Sequence, residues 1–239
     1  MLKNDLISKN PLGAFNVVTS GDKSSERMGL IMARAGLGKT AILVQIALDN
    51  MLKGKKVLHV SIGQSIEKTK AWYDDILADI TAGSKPENLA ELQRELMGNR
   101  MIMTFNESSF SRPKLEERLN DLIYQDIFRP SCMVIDGLDF GKVDRASLED
   151  MSDLQAKADL NLWFSALTHR DNSEVSPEGI PAPCNKVADL FDSVIVLQAK
   201  SNGESKVFLN IVKDTTGCIE PGKTLRLDPT SLIVWGTRF

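Results

Sequence analysis

The sequence predicts an α/β fold: a mainly parallel sheet flanked by helices, with antiparallel strands added toward the C-terminus. Three observations carry the prediction. Strand-like and helix-like segments alternate through most of the chain, the pattern of parallel strands joined by crossover helices. Cys132–Ile135 is a short run without a polar position, as expected of a strand covered on both faces. After Ser193 the strand-like runs follow one another with only turns between them, the spacing of antiparallel neighbours.

Taken in order, Met28–Ala33 is an apolar run that enters a glycine-rich turn. Lys39–Leu52 follows with Ile42, Ile46 and Leu48 at helical spacing. Val57–Ile62 is the second strand. Ile66–Ile80 repeats apolar residues at Trp72, Ile76 and Ile80, a helical period. Pro86–Met97 is a helix with proline near its start, where a missing N–H costs nothing. Met101–Phe105 is the third strand. Pro113–Phe128 is a helix that gathers Leu115, Leu119, Leu122 and Ile123 on one face. Cys132–Ile135 is a strand, Leu148–Leu160 a helix and Leu162–Leu167 a strand. Ser193–Gln198, Lys206–Val212, Thr224–Leu227 and Leu232–Trp235 complete the set, with Asn202-Gly203 and Pro221-Gly222 as turn signals. Asp171–Lys186, with three prolines, is expected to be a mobile loop inside the domain.

The 239 residues suit a single domain over 1–239, with a core at about 28–217 and a β-extension at about 218–239. An apolar content of 42% and a charged content of 26% exclude a disordered or fibrous chain. The 29 basic and 32 acidic residues leave a net charge of −3, which argues against a strongly basic nucleic-acid binder. The cysteines Cys132, Cys184 and Cys218 have no metal-ligand spacing, and His59 and His169 are the only histidines. No targeting segment is seen and no run approaches the ~18 apolar residues of a membrane span. A reducing cytoplasm is the expected setting. His59 lies among apolar residues inside a strand and reads as a core histidine.

Residues 33–40 carry the most specific signal: Ala33, Arg34, Ala35, Gly36, Leu37, Gly38, Lys39 and Thr40. They match G-x-x-x-x-G-K-[ST], with Ala33 in place of the first glycine. Gly36 and Gly38 let the backbone curl so that successive N–H groups face one concavity, an anion nest. The helix beginning near Lys39 adds its positive end. Lys39 is placed to reach the terminal phosphates, and the Thr40 hydroxyl to ligate Mg²⁺. A second acid for the metal is expected at the end of an apolar strand. Asp136 closes Cys132-Met133-Val134-Ile135 and takes that role, with Asp139 as the alternative.

With these motifs in place, the chain resembles the RecA-like P-loop ATPases, particularly the KaiC and DnaB branch, over most of residues 28–235. The likeness rests on four segments in order: ARAGLGKT (33–40), VLHVSIGQS (57–65), CMVIDGLDF (132–140) and LWFSALTHR (162–170). A fifth, IVKDTTG (211–217), resembles the family's late strand that carries Lys and Arg. The resemblance implies a RecA-like core, ATP with Mg²⁺, and a ring or filament of copies with nucleotide between neighbours. It also implies a polar γ-phosphate sensor at the end of Leu162–Leu167, which Thr168 or His169 would supply.

Two departures bear on catalysis. The family's second strand ends in a glutamate that serves as general base, whereas this chain has Ser61-Ile62-Gly63-Gln64. Gly137 follows Asp136, so no carboxylate stands there either, and Glu67 belongs to the next helix. Gln64 is left to orient a water, which glutamine does without being a good proton acceptor. In the late strand Lys213 is kept, but Thr215 stands where the family's arginine would be. A base and an arginine finger are worth ~10²–10⁴ and ~10³–10⁵ in rate. Their loss predicts nucleotide binding with weak or absent hydrolysis. Ordinary turnover would require another group, Gln64 or Glu107, to supply what is missing.

The family's two nucleic-acid-gripping loops correspond here to Gly137–Leu148 and Asp171–Lys186. The first sets Lys142 and Arg145 against Asp139 and Asp144; the second sets Lys186 against Asp171, Glu174 and Glu178. Such loops neutralise few phosphates, and Phe140 is the one aromatic in either of them. The expected function is therefore an ATP-binding switch or assembly factor acting through a protein partner not yet identified. A nucleic-acid motor is the runner-up. A small-molecule kinase would need an arginine-rich lid, and Asp171–Lys186 has no arginine.

Overall fold

The computed structural model describes residues 2–9, 27–82, 85–168, 174–201, 205–217, 221–222, 224–228 and 230–235. Among these, nine strands form one sheet: β1 (Arg27–Ala33), β2 (Val57–Ile62), β3 (Arg100–Phe105), β4 (Cys132–Asp136), β5 (Asn161–Leu167), β6 (Ser193–Ser201), β7 (Ser205–Asp214), β8 (Thr224–Leu227) and β9 (Val234–Trp235). Their spatial order is β3-β2-β4-β5-β1-β6-β7-β8-β9. The first six in this order pair in parallel, and β7, β8 and β9 continue the sheet antiparallel. The expected α/β class, with antiparallel strands at the C-terminal end, is what the chain adopts.

Alternation of side chains across the strands builds two cores. Ile31, Val57, Cys132, Val134 and Trp163 turn to one face. There they pack on α2 (Lys39–Leu52), α3 (Ile66–Ile80) and α4 (Pro86–Gly98), with Leu6 and Ile7 of α1 (Leu2–Lys9) at the margin. Met28, Leu30, Leu58, Met133, Ile135 and Phe164 turn to the other face, against α5 (Arg112–Tyr124) and α6 (Arg145–Ala158). The interior helix α2 is buried from Ala41 to Leu52, which explains its nearly continuous apolar sequence. α3 and α6 start on side-chain caps: Ser65 Oγ accepts from the Lys68 amide at 3.2 Å, and Asp144 Oδ1 from the Ser147 amide at 2.9 Å.

Several boundaries differ from the sequence expectation. α5 stops at Tyr124, because the chain turns through Asp126 with φ 53° before Phe128. α6 begins three residues early, at Arg145, since Asp144 provides the cap. It ends at Ala158, where Asp159 is left-handed. The last strand is reduced to Val234–Trp235, with Leu232 at φ 57°. α1 has no counterpart in the pattern reading. The expected mobile loop is described from Glu174 onward, and there it is pinned. Ile180 and Cys184 are fully buried, Val175 bridges Pro181, and a short 3-10 turn spans Asn185–Leu190. Among the described residues, no helix is long and apolar enough to cross a membrane.

The order of strands positions the site. β5 separates β1 from β4, while β5 and β6, successive in the chain, flank β1 on opposite sides. The chain thus changes direction across the sheet at β1, and a crevice opens beyond the carboxyl ends of the strands at such a point.

Candidate functional site

The loop of residues 33–40 leaves the carboxyl end of β1 and enters α2. Gly36 and Gly38 have φ of 78° and 96°, the left-handed region where glycine is free and other residues are strained. A β-carbon on Gly36 would meet no heavy atom within 4 Å, so the loop is open on that side. Gly38 is the N-cap of α2 and offers no side chain to cap it, and no acidic residue occupies the first turn. The first turn of the 14-residue helix α2 is therefore uncapped and free of acidic side chains, beyond the carboxyl end of β1. Ala33 is buried, Arg34, Ala35 and Gly36 are exposed, and Leu37 to Thr40 are half-buried.

Lys39 folds back over the loop, donating to the carbonyls of Ala33 at 3.3 Å and Arg34 at 3.4 Å. Partial burial pushes its ammonium below the ordinary lysine range, and the nearby Asp136 carboxylate pulls it back up. Thr40 Oγ1 donates to Asp136 Oδ2 at 2.7 Å, joining the first turn of α2 to the end of β4 across 96 residues of sequence. Ser165 Oγ donates to the other oxygen, Oδ1. Asp136 is 4% exposed, so its carboxylate is held by hydroxyls on both sides.

Register explains this convergence. Ser61 of β2 lies beside Asp136 of β4. Ile135 pairs with Phe164, which brings Ser165 level with Asp136. Ser61, Asp136 and Ser165 share the face toward α2, a polar row at the mouth of an otherwise apolar core. Ser165 was missed in the sequence; its trace was a lone hydroxyl in the inward set of LWFSAL, level with the acid. Asp139, the alternative metal acid, instead pairs with Lys142 at 2.8 Å on the surface.

Gln64 is half-buried just past the end of β2, in an open cleft of about 1030 Å³ that also receives Gly63, Asn106, Glu107 and Lys142. Lys213 is not brought to the loop. Its partner in β6 is Val194, which lies beside Leu30, three residues before Ala33, and its Nζ donates to the Ala188 carbonyl at 2.9 Å. Thr168 follows β5 and its amide donates to the Ala33 carbonyl at 3.0 Å. His169 lies outside the described residues. His59 is a core residue as expected, with Nδ1 2.9 Å from the Tyr73 hydroxyl.

The end of the chain closes on the same helix. Gln45 of α2 donates to the Leu232 carbonyl at 2.8 Å and accepts from the Val234 amide at 3.0 Å. The side chains of Leu227 and Leu232 come within 3.4 Å of where a β-carbon on Gly38 would stand.

The donor set fits a phosphate-bound Mg²⁺. A hydroxyl and a carboxylate, both hard oxygen ligands, already lie together, and this ion takes one or two carboxylates plus phosphate oxygens and water. No group of three or more His, Cys, Asp or Glu that could form an all-protein metal cage occurs among the described residues. No protein-family model matches the sequence, and no curated protein matches it.

Proposed function

We propose that this chain binds Mg·ATP through residues 33–40 and works as a RecA/KaiC-like nucleotide-dependent switch or assembly factor with slow turnover. The observation that carries the reading is the Thr40–Asp136 contact at 2.7 Å. It joins the end of a glycine loop at a helix N-terminus to a buried acid at the end of a central strand, which is the arrangement a metal-bound phosphate requires. In this reading the loop amides and Lys39 hold the phosphates, while Thr40 and Asp136 hold Mg²⁺. The metal supplies charge neutralisation at the phosphate oxygens.

Slow turnover is inferred from the end of β7. Thr215 stands where an arginine would serve, and its hydroxyl is engaged with Asp192 at 3.2 Å. A ring or filament of copies, with nucleotide between neighbours and a separate protein partner reading its state, belongs to the same proposal. The cations of the first loop support a protein partner over nucleic acid. Lys142 is paired with Asp139, and Arg145 with Glu149 and Asp189.

The test is thermal unfolding with and without Mg·ATP. A ligand at a hundred times its Kd stabilises the native state by about 2.7 kcal/mol. The wild type should melt higher with Mg·ATP, and Lys39→Ala should lose that rise. An equal rise in the variant overturns the loop assignment.

A further inference from the structure

We infer that Glu107 is the proton acceptor for attack of water on the terminal phosphate of ATP, reaching over the end of β2 from the neighbouring strand. The inference rests on the ATP-binding reading above and adds a catalytic residue to it.

Hydrolysis needs a group that takes the proton of the attacking water. Asp136 is poorly suited, since both its oxygens accept from the hydroxyls of Thr40 and Ser165. The position after it is closed to any side chain. Gly137 has φ 91°, and a β-carbon there would lie 2.3 Å from the Ile62 carbonyl oxygen. A carboxylate beside the metal acid must therefore come from another element.

Glu107 is that carboxylate. β3 pairs with β2 through Ile62–Phe105, and the Gly63 amide extends the ladder by donating to the Phe105 carbonyl at 2.9 Å. The chain then turns tightly, with the Ser109 and Phe110 amides donating to the Asn106 carbonyl at 3.0 and 3.1 Å. This turn presents Glu107 across β2. Its Oε1 lies 2.8 Å from where a β-carbon on Gly63 would be, so the carboxylate occupies the space a side chain at Gly63 would take. β2 is the direct neighbour of β4, with Ser61 beside Asp136. The Glu107 carboxylate thus stands one strand away from the metal acid, on the same carboxyl edge of the sheet.

Two further features suit the role. Among the residues that line the cleft, Glu107 carries the one carboxylate, and Gln64 lines it too. Among the described residues the Glu107 carboxylate accepts no hydrogen bond, and its electrostatic neighbour is Lys142. Its lone pairs are open to water. Gln64 orients that water and Glu107 takes its proton.

In the step, a lone pair of the water oxygen forms a bond to the γ-phosphorus. The bond from that phosphorus to the β–γ bridging oxygen breaks, and its electron pair leaves on ADP. The water proton passes to Glu107 and from its exposed carboxyl group to solvent. The products are ADP, inorganic phosphate and one proton.

Wild type, Glu107→Gln and Gly63→Ala should be compared in two measurements: the rise in melting temperature caused by Mg²⁺ with a non-hydrolysable ATP analogue, and phosphate release from Mg·ATP in a single turnover. Glu107→Gln should keep the full melting rise and lose phosphate release by ~10²–10⁴-fold. Gly63→Ala, which displaces Glu107, should lower the rate by a smaller factor. Wild-type protein that binds the analogue but releases no phosphate, or Glu107→Gln protein that releases it at the wild-type rate, overturns the role of Glu107 alone. Wild-type protein that shows no melting rise overturns the ATP-binding reading as well.

Discussion

Gly29 of β1 pairs with Trp163 of β5, and the indole lies 2.4 Å from where a β-carbon on Gly29 would stand. The glycine is a packing requirement: Trp163 lies across it to fill the core beneath α2. Gly29→Ala should therefore destabilise the fold by about 1–3 kcal/mol, the usual cost of forcing an extra carbon into a filled core. Denaturant unfolding would report it as a lower midpoint with an unchanged slope. An unchanged midpoint would contradict the packing.

Asp136 separates a structural from a metal role. Asp136→Ala leaves the hydroxyls of Thr40 and Ser165 without their acceptor and should cost about 1–3 kcal/mol. Asp136→Asn keeps an acceptor but removes the charge, so it should fold more stably than the alanine variant. It should also lose the Mg²⁺ dependence of stabilisation by ATP. Melting curves with ATP in the presence and absence of Mg²⁺ distinguish the two; an Asn variant that still responds to Mg²⁺ removes Asp136 from the metal site.

His59 predicts an acid-sensitive stability. Burial lowers its pKa from 6.5 to about 4; Asp136 opposes the shift and Arg100 adds to it. A base with a depressed folded-state pKa binds fewer protons folded than unfolded. Its contribution is thus intact above about pH 6.5 and is lost as pH falls toward 4. The loss should be on the order of 2–3 kcal/mol. His59→Gln should flatten the dependence of unfolding free energy on pH in that window. A slope equal to that of the wild type would show that other groups set it.

Nucleic acid should bind no tighter than the ~10⁻⁴–10⁻⁶ M of nonspecific contact at physiological salt. The grounds are the net charge of −3 and the pairing of Lys142 and Arg145 with acids. Filter binding with single-stranded DNA measures it. Nanomolar affinity with a steep salt dependence would favour a motor.

The parallel strands and the helices between them were legible because each carries its own period, and Lys39, Thr40 and Asp136 because their spacing reflects one local chemistry. Ser165 was not, since it belongs to no local pattern, and Glu107 was named in the sequence only as a substitute, with no geometry behind it. Ser165 reaches Asp136 only through the β4–β5 register. Glu107 reaches Gly63 only because a turn after β3 carries it over the adjacent strand. The missing glutamate at the end of β2 was visible as Gly63-Gln64. That Gly63 leaves room for another carboxylate depends on which strand lies beside it. Lys213 shows what register adds to a motif: the β6–β7 pairing sets it level with Leu30, three residues before the end of β1, away from this chain's own loop.

The clasp between Gln45 and the segment at Leu232–Val234 bears on the order in which the molecule is made. Its two halves are separated by 187 and 189 residues, so they meet only when nearly all of this sequence has been synthesised. A nascent chain released up to β7 can already pair its parallel strands. Its α2 still has a buried amide with no partner on that side, and Gly38 is without the two leucines that abut it. Closing so long a loop is slow relative to local structure. Because Val234 belongs to β9, the wall beside Gly38 is completed only when the last strand joins the sheet.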